Sequence, residues 1–82
     1  MQLFNLLIAT PETTLYHADA KMALFPGADG LFEILGQHAP LIAMVKAGTV
    51  KITDANGVQQ SIPIQEGFFE FHQNKGVLLT LK

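Results

Sequence analysis

The side chains in this 82-residue chain that could bind a metal or carry a reaction are three histidines, seven carboxylates and one serine. His17, His38 and His72 would be metal ligands if they converged with a carboxylate, because imidazole nitrogen and carboxylate oxygen are the donors zinc takes when no thiolate is present. No pairing of them with a carboxylate makes a recognised site, so they read as surface or hydrogen-bonded histidines. His38 stands out because it sits in a loop bounded by Gly36 and Pro40. Asp29 and Glu33 could form an acid/base pair, but Asp29 falls in a turn cluster and Glu33 on a short strand with its side chain to solvent. Ser61 is the only serine and lacks the Gly-x-Ser-x-Gly surroundings of a nucleophile elbow.

Binding chemistry fares little better. Gly27 and Gly30 are spaced too simply for a phosphate cradle, and no Gly-Lys-Ser/Thr follows them. They read instead as suppliers of backbone conformations that other residues avoid. Phe68, Phe69 and Phe71 could stack on bases, but single-strand binders place such rings beside a basic groove. Here the neighbours are Glu66 and Glu70, so the three rings are expected in the core. All the basic residues are lysines, and the net charge is −2. That balance leaves no electrostatic footprint for nucleic acid and no arginine fork for phosphate. No cofactor, metal or small-molecule substrate is expected.

Short segments between turn signals must position these residues. Leu3 to Ala9 is apolar and ends at Thr10-Pro11, where the proline lacks an N–H. From Leu15 to Phe25, Ala18, Ala20, Met22 and Leu24 alternate with Asp19, Lys21 and Ala23, the period-two pattern of a half-buried strand. Pro26-Gly27-Ala28-Asp29-Gly30 is a turn cluster, and Leu31 to Leu35 resumes as a strand. Leu41 to Val45 follows Pro40. The stretch Ala39 to Lys46 could hold one helical turn, but its shortness and the proline favour a strand. Val50 and Ile52 alternate with Lys51 and Thr53. Asn56-Gly57 signals a two-residue hairpin, because both residues tolerate positive φ. Val58 to Ile64 returns as a strand, with Pro63 pointing to a sheet edge or bulge. Phe69 and Phe71 alternate with Glu70 and His72. Val77, Leu79 and Leu81 then share one face. Such spacing predicts an all-β domain, a flattened antiparallel sandwich of about eight to ten short strands.

A chain this short buries roughly 60% of its unfolded surface, enough for one thin core and one domain over residues 1–82. Hydrophobic residues make up 49% of the chain and charged ones 15%, against roughly 25% charged in typical soluble domains. Part of the outer surface is therefore expected to meet another protein. Leu31, apolar and directly after a turn, belongs to that expectation. With no cysteine, no basic leader and no span-length apolar run, the chain reads as cytosolic. The residues alone leave two binding classes open. One is a subunit of a larger assembly, and the other is a free-standing sandwich that takes a small ligand or peptide.

Phe25-Pro26-Gly27-Ala28-Asp29-Gly30-Leu31-Phe32-Glu33-Ile34-Leu35-Gly36-Gln37-His38-Ala39-Pro40-Leu41 resembles the signature of the epsilon subunits of F-type (rotary) ATP synthases. Lys46-Ala47-Gly48-Thr49-Val50-Lys51-Ile52 is similar to the continuation in that family. Gly67-Phe68-Phe69-Glu70-Phe71, followed by Asn74 and by Val77 to Thr80, is similar to its last two strands. The likeness runs in order along essentially the whole chain.

The resemblance implies a ten-stranded β-sandwich in a central stalk. It implies a subunit that is not itself catalytic and that couples proton flow to ATP synthesis by binding the gamma subunit and the c-ring. It places the loop Ala28, Asp29, Gly30, Leu31 and Phe32 towards the c-ring. It places His38, Ala39, Pro40 and Leu41, with the strand after them, towards gamma. It implies a peripheral location at the cytoplasmic face of the inner membrane, touching the membrane only through the c-ring. Three departures qualify it. The chain ends at Lys82, where the family usually continues into a two-helix domain, so hydrolysis inhibition and ATP binding are not carried over. The residue after Gly30 is often acidic in the family and is Leu31 here, which implies apolar packing instead of a salt bridge. Gln37 also replaces the small or proline-flanked neighbour usual beside the glycine.

Overall fold

The computed structural model describes residues 2–81. Met1 and Lys82, the ends of the domain expected over residues 1–82, lie outside the described residues. Eight strands form among those described: β1 (Phe4–Ala9), β2 (Thr14–Gly27), β3 (Gly30–Leu35), β4 (Leu41–Val45), β5 (Gly48–Asp54), β6 (Gln59–Ile64), β7 (Gly67–His72) and β8 (Lys75–Thr80). The all-β expectation holds. The count is eight, within the eight to ten expected from the spacing and short of the ten that the family resemblance implies, and β2 runs unbroken for 14 residues and serves both layers.

The first half of β2 pairs with β1, from Ala9↔Thr14 to Phe4↔Ala20. Its second half pairs with β3 from Met22↔Leu35 to Gly27↔Gly30. On its other edge β5 runs alongside from Ala20↔Asp54 to Leu24↔Lys51. One layer is therefore β3-β2-β5-β6, and the other is β2-β1-β8-β7-β4. The end of β4 returns to β2 at Gly27↔Val45, backed by Lys46 N–H to the Pro26 carbonyl at 2.9 Å. Strand pairs are antiparallel except one. The terminal strands β1 and β8 pair in parallel, Asn5↔Lys75 through Ala9↔Leu79. No hairpin joins them, so no turn imposes an antiparallel direction.

The two halves of β2 meet at a bulge. Ala20 pairs with Asp54 and Met22 with Thr53, leaving Lys21 as the extra residue. A bulged residue shifts the side-chain alternation by one. Ala20 is buried, and beyond the bulge Ala23 and Phe25 are buried while Met22 and Leu24 are only half-buried. The expectation that Met22 and Leu24 continue the inward face of Ala20 is thus corrected. The bulge also lets one strand bend from one layer into the other.

The core lies between the layers. Phe25 and Phe69 approach with ring centroids at 4.4 Å, and Phe32 stacks on Phe25 at 5.1 Å. Phe4 meets Phe71 edge-on at 5.7 Å. Leu6, Ile8, Ile34, Ile52 and Leu78 fill the spaces around these rings. Burying each such side chain contributes about 1.5–3 kcal/mol. One polar atom is out of keeping: the Tyr16 hydroxyl is buried with no hydrogen-bond partner among the described residues. Burial raises its pKa, and Asp54 and Asp19 push the same way.

The β5–β6 hairpin also differs from expectation. Gly57 N–H donates to the Asp54 carbonyl at 2.9 Å, and Asp54 N–H to the Val58 carbonyl at 2.9 Å. Ala55-Asn56-Gly57 is therefore a three-residue loop in which Gly57 alone takes positive φ, at 83°. The Asp54 carboxylate stabilises it by accepting from Asn56 N–H, Val58 N–H and Gln60 Nε2 at 2.9, 2.9 and 3.0 Å.

Candidate protein interface

The turn between β2 and β3 is built for close quarters. Gly27 has no room for a side chain: a Cβ there would strike the Gly30 carbonyl oxygen and the Phe32 ring. Space is what demands glycine at this position, not the unusual conformation expected of it. Gly30 does need its conformation, with φ at 130°. Between them Ala28 and Asp29 form the exposed tip, and Ala28 N–H donates to the Met44 carbonyl at 3.0 Å. That bond ties the tip to β4. Leu31 leaves the turn pointing outward and is 71% exposed. Phe32 points the other way and packs against the core.

The second candidate segment follows β3. His38 N–H closes a turn on the Leu35 carbonyl at 3.1 Å. The His38 ring donates from Nδ1 to the Ala39 carbonyl at 2.7 Å and stands edge-on to Phe71 at 5.9 Å. Ala39 and Pro40 are exposed, while Leu41 packs against the core. The two candidate segments, distinct in sequence, line one open groove together with Ile42 and Met44.

The larger feature lies on β4, β7 and β8, and sequence patterning missed most of it. Paired residues on neighbouring strands share a face. Met44 pairs with Phe68, Phe68 with Leu79, and Leu79 with Ala9, making one row across four strands. The next row is Ile42, Glu70, Val77 and Leu7. All of these point away from the core. Ile42 is 63% exposed, Met44 57%, Phe68 43% and Leu79 55%, and Leu81 continues the patch at 60%. Phe68 is thus not a core residue, because it alternates with Phe69. Val77, Leu79 and Leu81 do share a face, and it is the outer one. The signal that could have found the patch was the run Phe68-Phe69, in which adjacent strand residues cannot both face inward.

The residues considered for chemistry stay apart. His17 lies on β2, His72 at the end of β7, and both are exposed. Among the described residues no three metal-binding side chains cluster. Asp29 and Glu33 are exposed, and Ser61 sits on the outer face of β6 opposite Lys51. What the geometry offers is an apolar face and an apolar knob, which suit adhesion to protein.

A family model described as the β-sandwich domain of the ATP synthase delta/epsilon chain matches residues 3–81. The ATP synthase epsilon chain of Chlorobium limicola is 40% identical over 77 residues, covering 94% of this chain and 88% of that one. The ATP synthase epsilon chain of Campylobacter fetus subsp. fetus is 35% identical over 80 residues, covering 98% of this chain and 62% of that one. Among solved structures, a chain of the Euglena gracilis mitochondrial ATP synthase (OSCP/F1/c-ring) superposes on all of this chain with a TM-score of 0.92, at 12% identity and over 52% of its own length. A chain of the Tetrahymena thermophila mitochondrial ATP synthase central stalk and c-ring matches 95% of this chain with a TM-score of 0.78, at 14% identity and over 63% of its own length. At such identities the structural likeness concerns the fold.

Proposed function

This chain belongs to the family of ATP synthase delta/epsilon chain β-sandwich domains, and on that premise we propose that it is a non-catalytic central-stalk subunit of an F-type ATP synthase. In this role it packs on the gamma subunit and grips the c-ring, so that proton-driven rotation is passed on to ATP synthesis. The complex lies at the cytoplasmic face of the inner membrane, and the chain meets the membrane only through the c-ring. The observation that carries the reading is the exposed row Met44-Phe68-Leu79 on a chain of this family. A rotor joint must not slip, and a wide apolar face next to a projecting knob provides adhesion without chemistry.

The tip Ala28, Asp29, Gly30 and Leu31, with Phe32 anchoring it in the core, faces the c-ring. His38, Ala39, Pro40 and Leu41 face gamma, and the outer face of β4 extends that contact through Ile42 and Met44 to Phe68. Leu31 meets the c-ring by apolar packing. The alternative of a free-standing ligand-binding sandwich has less support, because the groove beside Leu31 is open to solvent where small-molecule sites enclose their ligand.

The test is binding by the purified full chain to the gamma subunit and to detergent-solubilised c-ring. Leu31→Asp is expected to weaken c-ring binding about tenfold, the scale of one lost hot-spot contact, with gamma affinity and melting temperature unchanged. Full c-ring retention by this variant would remove the tip from the interface.

A further inference from the structure

We propose that Asn74 is a positioning residue for the His38–Leu41 loop, holding through one side-chain amide the height at which that loop meets gamma. The proposal rests on the assignment of the loop to gamma made above.

Residues 36–40 lie outside any strand and are largely exposed. Local ties to their backbone are His38 N–H to the Leu35 carbonyl at 3.1 Å and His38 Nδ1 to the Ala39 carbonyl at 2.7 Å. The distant tie is Gln37 N–H to Asn74 Oδ1 at 2.8 Å, across 37 residues of sequence. The other end of the same amide is also held, since Asn74 Nδ2 donates to the Leu3 carbonyl at 2.7 Å. The partners settle which atom is which: an N–H requires the oxygen and a carbonyl requires the nitrogen. The Asn74 main-chain carbonyl accepts from Asn5 N–H at 3.2 Å. One residue thus joins the β7–β8 turn, the start of β1 and the loop.

Backbone conformation aims it. Gln73 and Asn74 have φ of 51° and 63°, two successive left-handed residues that turn the Asn74 side chain across to the loop. Asparagine enters this region more readily than other residues with a Cβ. Gln37 is also left-handed, at φ 68°, a less favourable state for glutamine that the bond to Asn74 helps to hold. Gly36 lies flush on the chain before β1, where a Cβ would come within 2.6 Å of the Gln2 Cβ. The loop therefore rests on a platform formed by that segment and the β7–β8 turn, and the Asn74 amide is the pin between them.

Asn74→Gly removes the amide while keeping a backbone suited to positive φ, and Asn74→Asp keeps the acceptor for Gln37 N–H. Amide hydrogen exchange on the full chain and gamma affinity by calorimetry are the readouts. For Asn74→Gly the expected result is at least about tenfold faster exchange at Gln37 and His38, unchanged exchange at Ile52, and gamma affinity weaker by about tenfold. Asn74→Asp keeps the acceptor but cannot donate to the Leu3 carbonyl, so its exchange at Gln37 is expected to fall between those of Asn74→Gly and the wild type, which a general loss of stability does not predict. Wild-type exchange at Gln37 in Asn74→Gly overturns the proposal, as does exchange accelerated equally at Ile52. A control, Ala39→Asp, separates the two readings. If it leaves gamma affinity intact, the loop's assignment to gamma fails, while the exchange data still decide whether Asn74 holds the loop.

Discussion

The outer faces of the two layers differ, although both layers clamp the same core. On β5 and β6 the outward pairs are Thr49↔Pro63, Lys51↔Ser61 and Thr53↔Gln59. On β4, β7 and β8 the outward pairs include Met44↔Phe68 and Phe68↔Leu79. The first face is what water tolerates, with polar side chains and an edge strand carrying Pro63. The second has the composition of a sheet covered on both sides, yet the described residues cover only one. Apolar surface left in water gives up the stabilisation that burial provides, roughly 25 cal/mol per Å². The contrast separates residues that hold the fold from outward apolar residues that the described residues leave uncovered.

The largest expected effect comes from striking what both faces share. Phe69 is fully buried and touches Phe25 and Phe32 across the layers. Phe69→Ala is expected to cost about 3–5 kcal/mol, most of the stability of a domain this size, and to abolish the cooperative thermal transition seen by circular dichroism. A cooperative transition near the wild-type temperature would show that the layers do not depend on one core. Next in size is the paired change Ile42→Thr and Met44→Thr on the apolar face. Stability should move by no more than about 0.5 kcal/mol per site, as for exposed positions generally, while gamma affinity falls by more than tenfold. Equal losses of stability and affinity would erase the distinction between the two faces.

The smallest effect lies on the polar side. Asp54 sits at the β5–β6 hairpin, away from the apolar face, and its pKa is lowered below 3.8, first by the Val58 N–H and then by the Gln60 amide and Asn56 N–H, against some desolvation. A group whose folded pKa is depressed contributes stability above its unfolded value and loses it as pH falls through the folded one. Asp54→Ala is therefore expected to melt below the wild type at pH 6, the gap narrowing as pH falls through the lowered pKa of Asp54, with gamma affinity unchanged throughout. A constant gap down to low pH would mean that the carboxylate charge contributes nothing to the hairpin.

Much of this was legible in the residues. The strands fall where apolar runs lie between turn signals, and the motif from Phe25 to Leu41 led to a family that the comparisons then matched across residues 3–81. The errors about which side chains face inward share a cause. Alternation identifies a strand but not which way it faces, and one extra residue reverses it. Lys21 is such a residue, so Met22 and Leu24 exchanged roles with Ala23 and Phe25. Asn56-Gly57 signalled a hairpin correctly, but the Asp54 carboxylate favoured a longer loop. Phe68 was expected among core rings because phenylalanine is usually inside, and only the partner strands show that it is not.

By itself, then, the sequence determined the class of fold, the place of each turn and the apolar excess that calls for a partner. These depend on local chemistry: glycine and proline at turns, period-two patterning, and few charges. The tertiary structure alone decided that Met44, Phe68 and Leu79 form one exposed row, that two separate loops line one groove, and that the Asn74 amide reaches Leu3 and Gln37. Those facts depend on strand register and on contacts across 37 and 71 residues of chain. No local pattern encodes them, because register is set by the packing of the whole sheet.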